Sequence, residues 1–184
     1  MATALVILDM LNDFVDGVLA NPAAKAIIDP IGEMAAAVRG RNGWVVIYAN
    51  DAHVPGDLEF EVFGEHAVAG SAGAQVVDAL TPREGDIIVP KRFYSAFTQT
   101  DLEATCDTQG IERMVITGQH TNCCCRHTTY DAYRRGIDVV AVSDATCVFE
   151  PMVGDGYDRV QAEALEYLRA FYGAEIADAS SAVA

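Results

Sequence analysis

The chain reads as an α/β protein of three layers, α/β/α, built on a central, mostly parallel sheet of about six strands. Three observations predict this. Short segments are apolar throughout instead of alternating, segments of helical period separate them, and polar residues of catalytic type stand where the apolar runs end. A strand that is apolar on both sides has both faces covered, and helices placed between successive strands cover both faces of a parallel sheet. With 184 residues and no internal repeat or linker, one domain accounts for 1–177, and 178–184 reads as a frayed, flexible tail.

Residues 4–8 (ALVIL) form the first apolar run, which ends at Asp9. Segment 23–39 follows with Ile27, Ile28, Ile31, Met34, Ala35 and Val38 near one helical face, and it stops before Gly40. Residues 44–49 (WVVIYA) are a second buried strand, closed by Asn50 and Asp51. A long irregular stretch, 52–73, comes next. Loops of that length in compact domains are usually functional or disordered, and Phe60 and Phe63 favour function. Residues 86–89 (DIIV) make a third strand that Pro90 ends, and a helix near 101–107 leads into strand 114–117 (MVIT). That strand runs into Gly118, and from about Asn122 the period becomes helical. Residues 137–142 (IDVVAV) form the next strand, closing on Ser143 and Asp144. A long helix covers about 158–172, and 175–177 supplies an edge strand.

Apolar residues make up 51% and charged residues 21% of the chain, the balance of a soluble globular protein. No stretch approaches the roughly 18 apolar residues of a membrane span, and no basic leader precedes the first strand, so a cytoplasmic protein with no membrane association is expected. A net charge of −15 repels phosphate backbones and argues against nucleic acid as a partner. Five cysteines, three of them consecutive at 123–125, do not make a disulfide framework. Nor do the three converge on one metal, since neighbours on a helix point about 100° apart. Cys106 and Cys147 read as small packed residues.

Ligands of parallel sheets bind beyond the carboxyl ends of the strands. Those ends carry Asp9, Asp51, Lys91, the segment 118–124 and Asp144. A cysteine of the 123–125 run therefore stands at a strand-to-helix corner. Unpaired N–H groups and partial positive charge at such a corner stabilise a thiolate and bind an oxyanion. Neither His120, just before the helix, nor His127, along it, is an obvious partner for the sulfur. Asp9 is the candidate base, and Lys91 beside both groups lowers the thiol pKa.

Three blocks in order then give a resemblance that covers nearly the whole chain. LVILDMLNDFVDG (5–17), Val89-Pro90-Lys91 followed by Tyr94-Ser95-Ala96-Phe97, and TGQHTNCCCRHTTYDA (117–132) resemble the isochorismatase-like cysteine hydrolases, the group of nicotinamidases, N-carbamoylsarcosine amidase and isochorismatase. In the last block a Thr-Asn pair, one variable residue and the nucleophile come in order, which selects Cys124. The resemblance implies that Asp9 accepts the Cys124 proton, that Lys91 orients and supports the pair, and that the thiolate attacks an amide or similar acyl carbon to form a thioester. It also implies an oxyanion site made by the backbone N–H groups of Cys123 and Cys124, and a cis peptide at Gln119-His120.

Nicotinamidases also carry an Asp-x-His and further histidines around a divalent ion. Asp51-Ala52-His53 and His66 match, while Leu58, between Asp57 and Glu59, replaces the intermediate histidine. Asp51, His53 and His66 are thus either ligands of zinc or a similar ion, with water completing the shell, or a polar wall that bonds substrate directly. No organic cofactor is implied. Phe14, Phe63 and Tyr94 are expected as pocket walls together with His120, favouring planar or ring-bearing substrates. Asn12 and Asp13 read as turn and support residues, and Asp144 as structural. The expected function is a cysteine amidohydrolase acting on a small carboxamide, lactam or ureido compound, nicotinamide first, in a homodimer or larger homo-oligomer. The alternatives are a vinyl-ether hydrolase of isochorismatase type and a non-catalytic thiol redox sensor.

Overall fold

The computed structural model describes residues 2–184. In chain order its elements are β1 (Ala2–Leu8), α1 (Asn12–Val15), α2 (Pro22–Val38), β2 (Trp44–Asp51), α3 (Phe60–Phe63), β3 (Ile87–Lys91), α4 (Leu102–Gln109) and β4 (Ile111–Gln119). There follow α5 (Arg126–Tyr133), β5 (Asp138–Cys147), α6 (Glu150–Val153), α7 (Tyr157–Tyr172), β6 (Glu175–Ala177) and α8 (Ala179–Ala182). The strands form one sheet in the order β3-β2-β1-β4-β5-β6, and every neighbouring pair is parallel.

β1 shows why the strands are apolar without alternation. Leu5 and Ile7 pack to one side with Ile27, Ile31 and Met34 of α2, while Val6 and Leu8 face the other side with Leu102, Ala132 and Leu168 of α4, α5 and α7. All four β1 side chains are fully buried, and each contributes roughly 1.5–3 kcal/mol relative to an exposed position. No helix among the described residues is long and apolar enough to cross a membrane.

Three expectations are corrected. Pro90 does not end the third strand: β3 runs on through it to Lys91, paired with Asn50 and Asp51 of β2. Ser143 and Asp144 do not end a strand: β5 runs on to Cys147, because pairing with β4 shifts after Ile116 and resumes as Gly118 with Thr146 and Gln119 with Cys147. The exposed Asp144 accepts a hydrogen bond from the Ala179 N–H at 2.7 Å, a structural role away from the strand ends. Residues 178–184, read as a flexible tail of the 1–177 domain, instead form a docked turn. Asp178 accepts from the Ser181 N–H at 2.8 Å, Ala182 is buried in the α2-side core, and Arg41 donates to the Val183 carbonyl at 2.6 Å.

Candidate active site

The register places four strand ends side by side: Leu8 lies between Ala49 and Gly118, and Asp51 lies beside Lys91. Gly118 makes the corner possible. Its φ is +96°, and a Cβ there would stand 2.0 Å from the Leu8 carbonyl oxygen, so no other residue lets β4 pass this close to β1. Lys91 is buried at the centre of the edge. Its Nζ is 2.8 Å from Asp9 Oδ2, 2.6 Å from Asp51 Oδ1 and 3.7 Å from Cys124 Sγ. Burial opposes its charge, but Asp51 and Asp9 hold its pKa well above the ordinary lysine value.

Asp9 has a positive φ of 54°. Two side chains fix that backbone: Asn50 accepts from the Asp9 N–H at 3.1 Å, and Gln119 donates to the Asp9 carbonyl at 3.1 Å. The Asp9 carboxylate accepts from the Asp51 N–H at 2.8 Å. Burial, followed by the Asp51 charge, pushes its pKa up to about 7 against the pull of Lys91. Burial alone would raise Asp51 as well, but Lys91 and His53 hold it below its ordinary value.

The segment Thr121–Cys125 is a wide, π-type helical turn that leads into α5, and Cys124 is buried within it. Thr121 donates to Gln161 of α7 at 2.9 Å and Gln161 donates to the Thr146 carbonyl at 3.0 Å, so the turn is tied to α7 and β5. The Gln119-His120 peptide is cis, at the bond the resemblance implies. The Cys123 thiol and burial push the Cys124 thiol well above the usual range, against the pull of Lys91. One expectation changes here. The Cys123 N–H already donates to the His120 carbonyl at 2.9 Å and is not free for an oxyanion. His127 bonds the Cys123 carbonyl at 2.8 Å and stacks near Tyr94, so it does not serve the sulfur of Cys124.

A cavity of about 170 Å³ opens above Cys124. Phe14, Phe63, Tyr94 and His120 line it, together with Phe149 and Met152 from the α6 region. The His120 ring stands between Phe14 and Phe149, at 6.0 and 5.0 Å between centroids, and burial lowers its pKa to about 4, leaving it neutral.

Beside the cavity, one ligand atom each from Asp51, His53, Glu59 and His66 lies within 4.8 Å of the others. The two imidazoles are set as ligands are. His53 Nδ1 bonds Asp57 Oδ2 at 2.9 Å, with its Nε2 3.6 Å from Asp51 Oδ2 and 3.8 Å from Glu59 Oε2, and His66 Nδ1 bonds the Gly64 carbonyl at 2.7 Å, leaving Nε2 as its remaining ligand atom. His53 Nε2 is buried without a hydrogen-bond partner. Asp57 is fixed in turn by a forked pair from Arg92, which holds its carboxyl well below the usual range. Two imidazoles and two carboxylates suit a divalent ion of the zinc class.

A family model for the isochorismatase domain matches residues 3–180. The chain belongs to the isochorismatase family. Within it, the chain is 30% identical over 164 residues to a probable inactive nicotinamidase of Arabidopsis thaliana, covering 82% of this chain and 83% of the relative. It is 31% identical over 172 residues to the ureidoacrylate amidohydrolase RutB of Klebsiella pneumoniae, covering 78% and 72%. The crystal structure of N-carbamoylsarcosine amidase from Thermoplasma acidophilum superposes with a TM-score of 0.86 at 33% identity, over 97% of each chain.

Nearly every residue nominated from sequence meets at this isochorismatase-family site. Asp9 and Cys124 lie at its floor with the buried Lys91 within reach of both, Phe14, Phe63, Tyr94 and His120 wall it, and Asp51, His53 and His66 cluster beside it. Asp13, expected as a support residue, accepts from the Ala67 N–H at 2.8 Å next to His66. Five further residues contribute, in roles that the sequence analysis did not nominate for the site. Glu59 joins the cluster in place of the missing histidine, one residue beyond Leu58, whose side chain is exposed. Asn50 and Gln119 clamp Asp9 from neighbouring strands, and Phe149 and Met152 come from a segment with no helical period.

Proposed function

We propose that this chain is a cysteine amidohydrolase that cleaves the C–N bond of a small carboxamide, lactam or ureido compound through a thioester, with nicotinamide the first compound to test. The carrying observation is the placement of one buried ammonium, Lys91, against both Asp9 and Cys124 at the floor of an aromatic cavity. Relatives named for amide and ureide hydrolysis support the class.

In this reading Asp9, with its pKa near 7, is a base matched to neutral pH. It takes the Cys124 proton as the sulfur attacks the acyl carbon, and Lys91 stabilises the thiolate as it forms. The developing oxyanion is met by the N–H of Cys124, that of Cys123 being engaged with the His120 carbonyl. Asp9 passes its proton to the departing nitrogen, and ammonia or an amine leaves. Water then adds to the thioester carbon with Asp9 as base, the C–S bond breaks, and the acid departs. Asp51, His53, Glu59 and His66 are the residues that would hold a divalent ion, which supplies a Lewis-acidic anchor for a substrate donor atom. The aromatic walls orient a planar group over the sulfur.

Ammonia release from nicotinamide and ureido compounds, and appearance of a free amine on ring opening of lactams, test this reading. Cys124→Ala is expected to abolish turnover, and Cys123→Ala to retain most of it. Full turnover in Cys124→Ala would reject the assignment.

A further inference from the structure

The cavity lining contains no lysine or arginine. Lys91, which touches the lining residues Asp9, Asp51 and Cys124, is already paired with the two carboxylates, and Arg92 is paired with the Asp57 carboxylate. The acids that face the same space are Asp9, Asp51 and Glu59. Most of the remaining wall is aromatic or aliphatic, including Leu19, Phe149 and Met152. A carboxylate brought into this volume loses its water and meets no ammonium or guanidinium. A divalent ion in the adjoining cluster would leave no surplus of positive charge, because Asp9, Asp51 and Glu59 together balance Lys91 and the ion.

Resting on the amidohydrolase reading, we infer that the site selects uncharged carboxamides and ureides and rejects those that carry a carboxylate. Specificity here is negative: the pocket lacks the cation that an acid-bearing substrate needs, and its own carboxylates repel such a substrate. The same feature aids turnover. Hydrolysis of a neutral carboxamide turns the acyl group into a carboxylate and releases ammonia, so the acid product is disfavoured by walls that accepted its precursor.

Matched pairs that differ in one group test the inference by ammonia release: 3-methylbenzamide against 3-carbamoylbenzoate, and propylurea against 3-ureidopropionate. The uncharged member is expected to show kcat/KM higher by about 100-fold or more. Met152 lies at the rim and is 71% exposed, so Met152→Arg supplies a cation without disturbing the core, and it is expected to shrink the ratio by about tenfold. If the acid-bearing members are cleaved as well as their neutral partners, or better, selection against charge is wrong while the amidohydrolase reading stands. If no member of either pair, nor nicotinamide, yields ammonia in a Cys124-dependent way, that reading fails and takes the inference with it.

Discussion

Asp9 combines a left-handed backbone with a carboxyl pKa near 7, and both depend on neighbours brought from other strands. The pKa fixes the sign of the pH response. Asp9 must be ionised to take a proton, so kcat/KM is expected to rise with pH through about 7 and level off above it. Asp51→Asn removes a charge that raises this pKa, so the acid limb should move to lower pH. A limb that stays in place would show that another group controls it. Asn50→Ala tests the clamp: loss of the Asp9 N–H partner should lower kcat about tenfold with KM little changed and destabilise the fold by about 1–2 kcal/mol. Fixed kcat with raised KM would instead put Asn50 in substrate binding. Asp9 itself is legible in the sequence because an acid ends an apolar run. Its clamp is not, because Asn50 lies 41 residues away and Gln119 lies 110 away, and only strand order makes them neighbours.

At the scale of elements, sequence period located the six strands and the long helices, since buried faces impose it. Where it failed, tertiary pairing overrode a local signal. Ser143-Asp144 resembles a strand end, yet β5 resumes pairing beyond it with Thr146 and Cys147. The short segment 178–184 has no period of its own, but α8 gains a place from contacts with α2 and β5, through Ala182 and Val183 against the α2-side core. Deleting 178–184 should therefore destabilise the fold by on the order of 1 kcal/mol from lost apolar burial, read as a lower urea midpoint with unchanged activity per folded molecule. An unchanged midpoint would return the segment to a flexible tail. Gly118→Ala is a stronger test of the β4 corner. The added Cβ would meet the Leu8 carbonyl at 2.0 Å at a φ of +96°, so a loss of about 3 kcal/mol or more is expected. A loss under about 1 kcal/mol would mean that the two strands can part there without cost.

Across the whole molecule, the parallel strand order gathers acids at one end of the sheet, and burial makes them mutually unfavourable unless cations meet them. Lys91 meets Asp9 and Asp51. Glu59 has no such partner: burial and the Asp51 charge push its pKa up to about 7, beside the two histidines of the cluster. A divalent ion is the cation that would complete this balance, and because its ligands are Asp51 at the end of β2 and three residues of the loop 52–66 around α3, binding would pin that loop to the sheet and stabilise the native fold. Binding to the native state alone at about 100 times the dissociation constant adds about 2.7 kcal/mol, or roughly 5–10 °C in Tm for a chain of this length. Zinc or cobalt added to chelator-treated protein should raise Tm by that amount. His53→Ala combined with His66→Ala should abolish the rise, and Glu59→Gln should reduce it. A Tm indifferent to every divalent ion would leave the cluster as a polar wall, and then a chelator should not affect amide hydrolysis either, so the thermal and kinetic measurements must agree.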